Sequence, residues 1–151
     1  MATLGKGSLK TMEGLHPDLV KLIKSAIIDT PVDFTVTSGV RTTKEQQALY
    51  AQGRTTKGAI VTERDGVKRK SNHQPHADGY GHAFDFCPYI NGGLNWNATG
   101  AFIAIALHIK AKAKSLGIRV RWGADWDNDG VTKAQGDRDE SFVDLPHIEL
   151  I

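Results

Sequence analysis

Sixteen residues, Ser71–Phe86 (SNHQPHADGYGHAFDF), hold His73, His76 and His82, half of the six histidines in the chain, together with Asp78 and Asp85. The stretch closes on an alternating run, His82-Ala83-Phe84-Asp85-Phe86, the pattern of a half-buried strand whose odd and even positions face opposite ways. A second alternating stretch follows Asp144-Leu-Pro: His147-Ile-Glu149-Leu-Ile151. An Asp, a His upstream of it and a second His near the C-terminus make a tripod for a divalent ion. Neutral imidazole and carboxylate are the ligands of a catalytic zinc, which keeps a fourth position for water. Asp144 precedes His147 by three residues, so it can reach the same space without ligating. That is the place of a general base for metal-assisted hydrolysis. Alone, Asp-x-x-His reads equally well as a turn-capping aspartate before a half-buried histidine, and the weight rests on the combination.

The elements that must position these groups are legible in order. Residues 1–14, rich in Gly, Ser, Thr and Lys, read as a loosely held lead-in. His16-Pro17-Asp18 opens a helix, with Leu15, Leu19, Leu22, Ile23, Ala26 and Ile27 at helical spacing to about Asp29. Phe34–Ser38 reads as a short strand ended by Gly39. Thr42 or Thr43 caps a second helix, with Glu45 or Gln46 as the capping-box partner, running to Ala51. Residues 54–72 read as a mobile, substrate-facing flap with a weak hairpin pairing 60–62 with 66–67 about Arg64-Asp65-Gly66. Pro88–Gly93 reads as a turn, and Ala98–Leu116 as a long helix capped by Gly117. Ile118–Trp122 and His147–Ile151 alternate as strands. The expected fold class is α+β: a small, mostly antiparallel sheet carrying the metal site, packed against helices.

Bulk properties narrow the function classes. A chain of 151 residues is read as a single domain spanning 1–151. Nineteen basic against 17 acidic residues give +2, too balanced for nucleic acid to be the default partner. The single Cys87 permits no intrachain disulfide, and its apolar neighbours suggest a buried thiol. The N-terminal stretch lacks the apolar core of a signal peptide, and no apolar run reaches membrane-spanning length, so neither secretion by leader nor stable membrane insertion is expected.

The motif set resembles a known family. Ser71-x-His73, Gly81-His82-Ala83-Phe84-Asp85, Asp144-x-x-His147 and the upstream Ser38-Gly39-Val40-Arg41-Thr42 with Gln46 are similar to the zinc peptidases that cut peptidoglycan stem peptides. These are the VanY-type D-alanyl-D-alanine carboxypeptidases and dipeptidases and, nearer, the phage endolysins that are L-alanyl-D-glutamate endopeptidases. The endolysin branch carries Asp as base, which matches Asp144. The Asp85–Gly92 run and the Gly123-Ala-Asp-Trp126 loop also look like that branch, and the resemblance spans roughly residues 15–151. It implies zinc held by His73, Asp85 and His147, Asp144 as the base, and Arg41 binding substrate or steadying the oxyanion. The family spaces its first His seven residues before the Asp, where this chain has Asp78. Residues 75–79 are therefore read as part of a five-residue insertion that leaves His73 as ligand. His76 and His82 are the rivals, the latter at an odd separation from Asp85 that turns it to the other face.

Around that centre, Arg41 is suited to a substrate carboxylate or a tetrahedral intermediate, since a guanidinium at a helix N-terminus is otherwise misplaced. Gln46 is read as a helper on the same helix face. Trp96, Trp122 and Trp126 are candidates to line a substrate groove, Trp122 foremost, with at least one in the core. Asp125-x-Asp127-x-Asp129-Gly130 looks like the first half of an EF-hand loop, but position 12 is Gly136. A looser Ca²⁺ site using Asp137, Asp139 or Glu140 and a solvated acidic turn are the two readings of that loop.

The expectation is a monomeric phage lysis enzyme that acts on peptidoglycan, with no separate wall-binding domain. It would be held in the host cytoplasm and released to the wall by a holin-made lesion. A D-Ala-D-Ala carboxypeptidase on the same scaffold and a non-catalytic wall-binding module are the alternatives.

Overall fold

The structure is a computed structural model and describes residues 2–128 and 143–151. Its elements, in chain order, are α1 (Lys6–Thr11), α2 (Pro17–Ala26), β1 (Phe34–Ser38), α3 (Thr43–Ala51), β2 (Ala83–Ile90), β3 (Gly93–Leu94), α4 (Thr99–Leu116), β4 (Val120–Trp122) and β5 (His147–Leu150). The main sheet runs β1-β2-β5-β4, antiparallel at every junction, and β3 hairpins onto the end of β2. The α+β class read from the sequence is the fold observed.

Local chemistry accounts for most boundaries. His16 caps α2, its Nδ1 accepting the Asp18 N–H at 3.1 Å, and Pro17 fills the first turn where no amide donor is needed. Thr42 and Glu45 exchange side-chain-to-backbone bonds in a capping box that starts α3. Gly117 ends α4 at φ +72°, the left-handed conformation that glycine enters without steric cost. Leu19, Leu22, Ile23 and Ala26 of α2 meet Phe102, Ile105, Ala106 and Ile109 of α4 in the core with Phe84, Phe86 and Ile148 of the sheet. Each large side chain there contributes about 1.5–3 kcal/mol by leaving water. That layer is the rigid floor beneath the site.

Three expectations change. The N-terminal segment is not a loose lead-in: α1 packs on β1, burying Ser8 and Met12, and the Ser8 hydroxyl accepts the Val36 N–H at 3.0 Å. Residues 60–67 pair in no hairpin. Asp65 Oδ1 instead collects the amides of Val67, Lys68 and Arg69 at 2.9–3.0 Å, a side-chain substitute for ladder bonds. Pro88 lies within β2, opposite Phe34, and the turn is confined to Asn91-Gly92, both at positive φ. Among the described residues no helix is long and apolar enough to cross a membrane.

Replacing Ser8 by Ala leaves a buried strand amide without an acceptor. The cost is about 1–3 kcal/mol. Thermal unfolding should therefore fall by several degrees, while hydrolytic activity at low temperature is unchanged.

Candidate metal centre and cleft

Asp85 of β2 and His147 of β5 are directly paired residues, so their side chains leave the sheet side by side. His73 reaches them from the turn before β2. Its Nε2 lies 3.2 Å from His147 Nδ1 and 3.3 Å from Asp85 Oδ1, and His147 Nδ1 lies 3.3 Å from the same oxygen. Zinc–ligand bonds of about 2.0–2.1 Å at tetrahedral angles separate the donor atoms by about 3.3 Å. The triangle already has the size of a coordination face.

Hydrogen bonds behind each ring aim the lone pairs inward. His73 Nδ1 is 2.8 Å from the Gly39 carbonyl, which can only accept, so in the neutral ring the proton sits on Nδ1 and Nε2 is bare. His147 Nε2 is 2.7 Å from Glu149 Oε1, which likewise leaves Nδ1 bare when the ring is neutral. Asp85 Oδ1 is buried without a hydrogen-bond partner. Three acceptors facing one point repel one another until something positive sits between them, a proton in the metal-free protein or a metal ion in the loaded one.

The titration behaviour follows. Burial pushes Asp85 up, yet the adjacent imidazoles of His147 and His73 outweigh it and hold the carboxyl far below the usual range. Burial pushes His147 down, but Asp85 and Glu149 overcome it and raise the imidazole to about 9. Burial raises Asp144, and the negative charge of Asp85 adds to it.

A second tier of residues fixes this geometry. Glu149, two positions after His147 on β5, also accepts Arg121 Nη2 at 2.7 Å and Asn72 Nδ2 at 2.8 Å. It is thus a bridge from the His147 ring to β4 and to the His73 turn. Arg41 Nη2 donates to Asp85 Oδ2 at 3.3 Å and Nη1 to Gln46 Oε1 at 3.1 Å. Gln46 is fully buried and its Nε2 holds the Arg64 carbonyl at 2.8 Å, so one side chain joins Arg41 to the 54–72 segment. Asp144 is set by backbone: its N–H donates to Gly123 O, and a Cβ on Gly123 would collide with the Asp144 backbone. Only glycine allows that approach.

Arg41, His73, Asp85, Asp144, His147 and Glu149 open together into a cleft of about 760 Å³, whose other walls include Val61, Arg64, Lys70, Arg121 and Trp126. The 54–72 segment thus faces the cleft. His76 and His82 do not line it; their rings stack on each other at 3.8 Å, and His82 pairs with Asp78. The 75–79 excess closes on itself through His76 N–Tyr80 O and Gly79 N–His76 O bonds.

The Trp122 expectation is corrected. Its side chain is fully buried, donating Nε1–H to Leu145 O, and Trp126 is the tryptophan in the cleft, 5.5 Å from the His147 ring. Trp96 is exposed elsewhere. Of the acidic loop, Asp125 is buried with Lys110 Nζ at 3.0 Å from Oδ2, and Asp129, Asp137, Asp139 and Glu140 lie outside the described residues.

The family model described as phage L-alanyl-D-glutamate peptidase matches residues 1–151. The chain belongs to that family. It is 34% identical to the L-alanyl-D-glutamate peptidase of Escherichia phage T5 over 151 residues, covering 97% of this chain and 96% of that protein. It is also 34% identical over 148 residues to the peptidoglycan L-alanyl-D-glutamate endopeptidase CwlK of Bacillus subtilis (strain 168), covering 91% and 74%. The crystal structure of the L-Ala D-Glu endopeptidase ChiX of Serratia marcescens shares the fold, with a TM-score of 0.65 at 24% identity over 97% of this chain and 87% of that one. Metal dependence fits both the family and the clustered donors.

Glu149 was passed over in the sequence, although alternation places it on the face of His147. Carboxylate partners of metal-binding histidines are worth about 10–100-fold in affinity, and Glu149→Gln should weaken metal binding by that factor. In the metal-free protein, burial pushes the Glu149 carboxyl up, but His147 and Arg121 bring it down to about 2 from 4.5. A depressed carboxylate stabilises the fold above its unfolded value and loses that contribution as pH falls through the folded one. The raised His147 does the reverse: its contribution is complete below about 6.5 and lost as pH rises through about 9. Metal-free Glu149→Gln should melt roughly 5 °C below the parent near pH 6, with the gap narrowing below pH 4.5 and above pH 8.

Proposed function

We propose that this chain is a zinc endopeptidase that cleaves the L-Ala–D-Glu bond of peptidoglycan stem peptides in phage lysis. The observation that carries the reading is the triangle of His73 Nε2, Asp85 Oδ1 and His147 Nδ1, at 3.2–3.3 Å spacing, with Asp144 in the same cleft. Two imidazoles and a carboxylate suit zinc among common ions. Bound there, zinc would supply a Lewis acid that polarises the scissile carbonyl and acidifies water.

The chain's own residues do the rest. Asp144 takes a proton from the attacking water and returns it to the leaving amine, the α-nitrogen of D-Glu. Burial and the neighbouring Asp85 make its carboxylate a better proton acceptor than an exposed one. Arg41 holds Asp85 through Oδ2, and its cationic fork faces the developing oxyanion or the free carboxylate of D-Glu. Gln46 keeps that fork in place. Arg64 and Lys70 outnumber Glu63, itself paired with Arg54, on the wall formed by the 54–72 segment, an excess suited to an anionic stem peptide, and Trp126 offers an apolar surface beside His147.

The remaining elements of the reading are that the enzyme works as a monomer, with peptidoglycan rather than nucleic acid as its partner. It travels from the host cytoplasm to the peptidoglycan through a holin-made lesion. Calcium at Asp125, Asp127 and Asp129 would have to compete with the Lys110 ammonium already at Asp125.

The test is digestion of purified peptidoglycan by metal-free and zinc-restored protein, with new termini identified by mass spectrometry. Zinc-dependent appearance of D-Glu amino termini is expected. Asp144→Asn should lower the rate about 10²–10⁴-fold while binding zinc as tightly as the parent. Released D-Ala would reassign the enzyme as a carboxypeptidase, and equal wall retention with no cleavage by either protein would make it a binding module.

A further inference from the structure

A second set of donors converges outside the cleft, at the other end of the segment that carries His73. Asp78 Oδ2 lies 2.8 Å from His82 Nε2 and 3.9 Å from His16 Nε2, and the three ligand atoms all fall within 4.8 Å of one another. Backbone bonds bring them together: His16 N–H donates to Gly81 O at 2.9 Å and Gly81 N–H to Gly14 O at 3.0 Å. Tyr80 N–H occupies Asp78 Oδ1, which leaves Oδ2 to the imidazoles. The His16 and His82 rings meet edge-on at 5.2 Å, and His76 lies flat against His82 at 3.8 Å, bracing it. None of these residues lines the cleft or contributes to the chemistry above.

We propose that His16, Asp78 and His82 form a second site, for a divalent transition-metal ion of the zinc type, that pins the 75–81 loop to the start of α2. The donor set suits Zn²⁺, Ni²⁺ or Cu²⁺ rather than Ca²⁺ or Mg²⁺, which prefer oxygen. The separations of 2.8 and 3.9 Å bracket the roughly 3.3 Å of a tetrahedral face, and small rotations of partly exposed side chains close the difference. Solvent completes the shell.

Loading requires a rearrangement of protons. His16 Nδ1 accepts the Asp18 amide, so the neutral ring carries its proton on Nε2, toward Asp78. To ligate, the ring must carry it on Nδ1 instead. Asp18 Oδ2, 3.9 Å from Nδ1, would then close to hydrogen-bond distance to receive it, the carboxylate–histidine pairing that accompanies metal-bound imidazole. His82 likewise gives up the Nε2 proton it shares with Asp78. An ion here would exchange one capping hydrogen bond of α2 for a cross-link between two parts of the chain.

Zinc stoichiometry after equilibrium dialysis tests this. The wild-type protein should hold two ions per chain and the double variant His16→Gln, His82→Gln one, with peptidoglycan cleavage retained by both. His147→Ala should also hold one ion, but without cleavage. In nitrogen NMR of the wild type, the His16 ring should change tautomer on filling the second site. A wild type that saturates at one ion, or a double variant that still binds two, overturns the proposal and leaves the catalytic reading intact.

Discussion

Three lone pairs pointed at one small space are unstable unless a positive charge sits among them, and the scaffold is arranged to keep them there. The Gly39 carbonyl and the Glu149 carboxylate each take the one proton that would otherwise let an imidazole relax the conflict. Arg41 takes the outer oxygen of Asp85, leaving the inner one unpartnered. The cost is offset by burial of apolar surface beneath the sheet, and by a bound ion when one is present.

The sheet topology meets that requirement. Adjacent antiparallel strands put Asp85 and His147 opposite each other with no intervening residue, a placement more rigid than any loop could supply. His73 is the member of the triangle that is not on a strand, and its turn is correspondingly tied down. Arg41 N–H donates to its carbonyl, and the buried Gln74 next to it binds Gly66 O and Thr43 Oγ1. Asp144 comes in over Gly123.

Much of this was legible in the residues because it depends on period and parity. The bounds of β1, the capping box of α3 and the Gly117 stop follow from local rules, and parity along β2 separated His82 from Asp85. Parity also put Val120 and Trp122 together on one face of β4, where both are buried, and put Glu149 beside His147; neither consequence was drawn for Trp122 or Glu149. What local pattern could not disclose were interactions between distant segments. Helix α1 packs on β1, and its Ser8 hydroxyl reaches a strand amide 28 residues away. The 54–72 segment is shaped by Gln46, Gln74 and Asp65 rather than by any periodic apolar stripe, so no pairing rule finds it. The second histidine cluster likewise depends on β-bridging of Leu15 and Pro75 to Gly81.

The most direct measurement is a crystal structure of the zinc-loaded protein with anomalous scattering recorded at the zinc edge. The account predicts a peak about 2 Å from His73 Nε2, Asp85 Oδ1 and His147 Nδ1, with the Gly39 and Glu149 hydrogen bonds retained and the three side chains essentially unmoved. A peak in the cleft that engages the opposite ring nitrogens, or one that leaves Asp85 unligated, would contradict it.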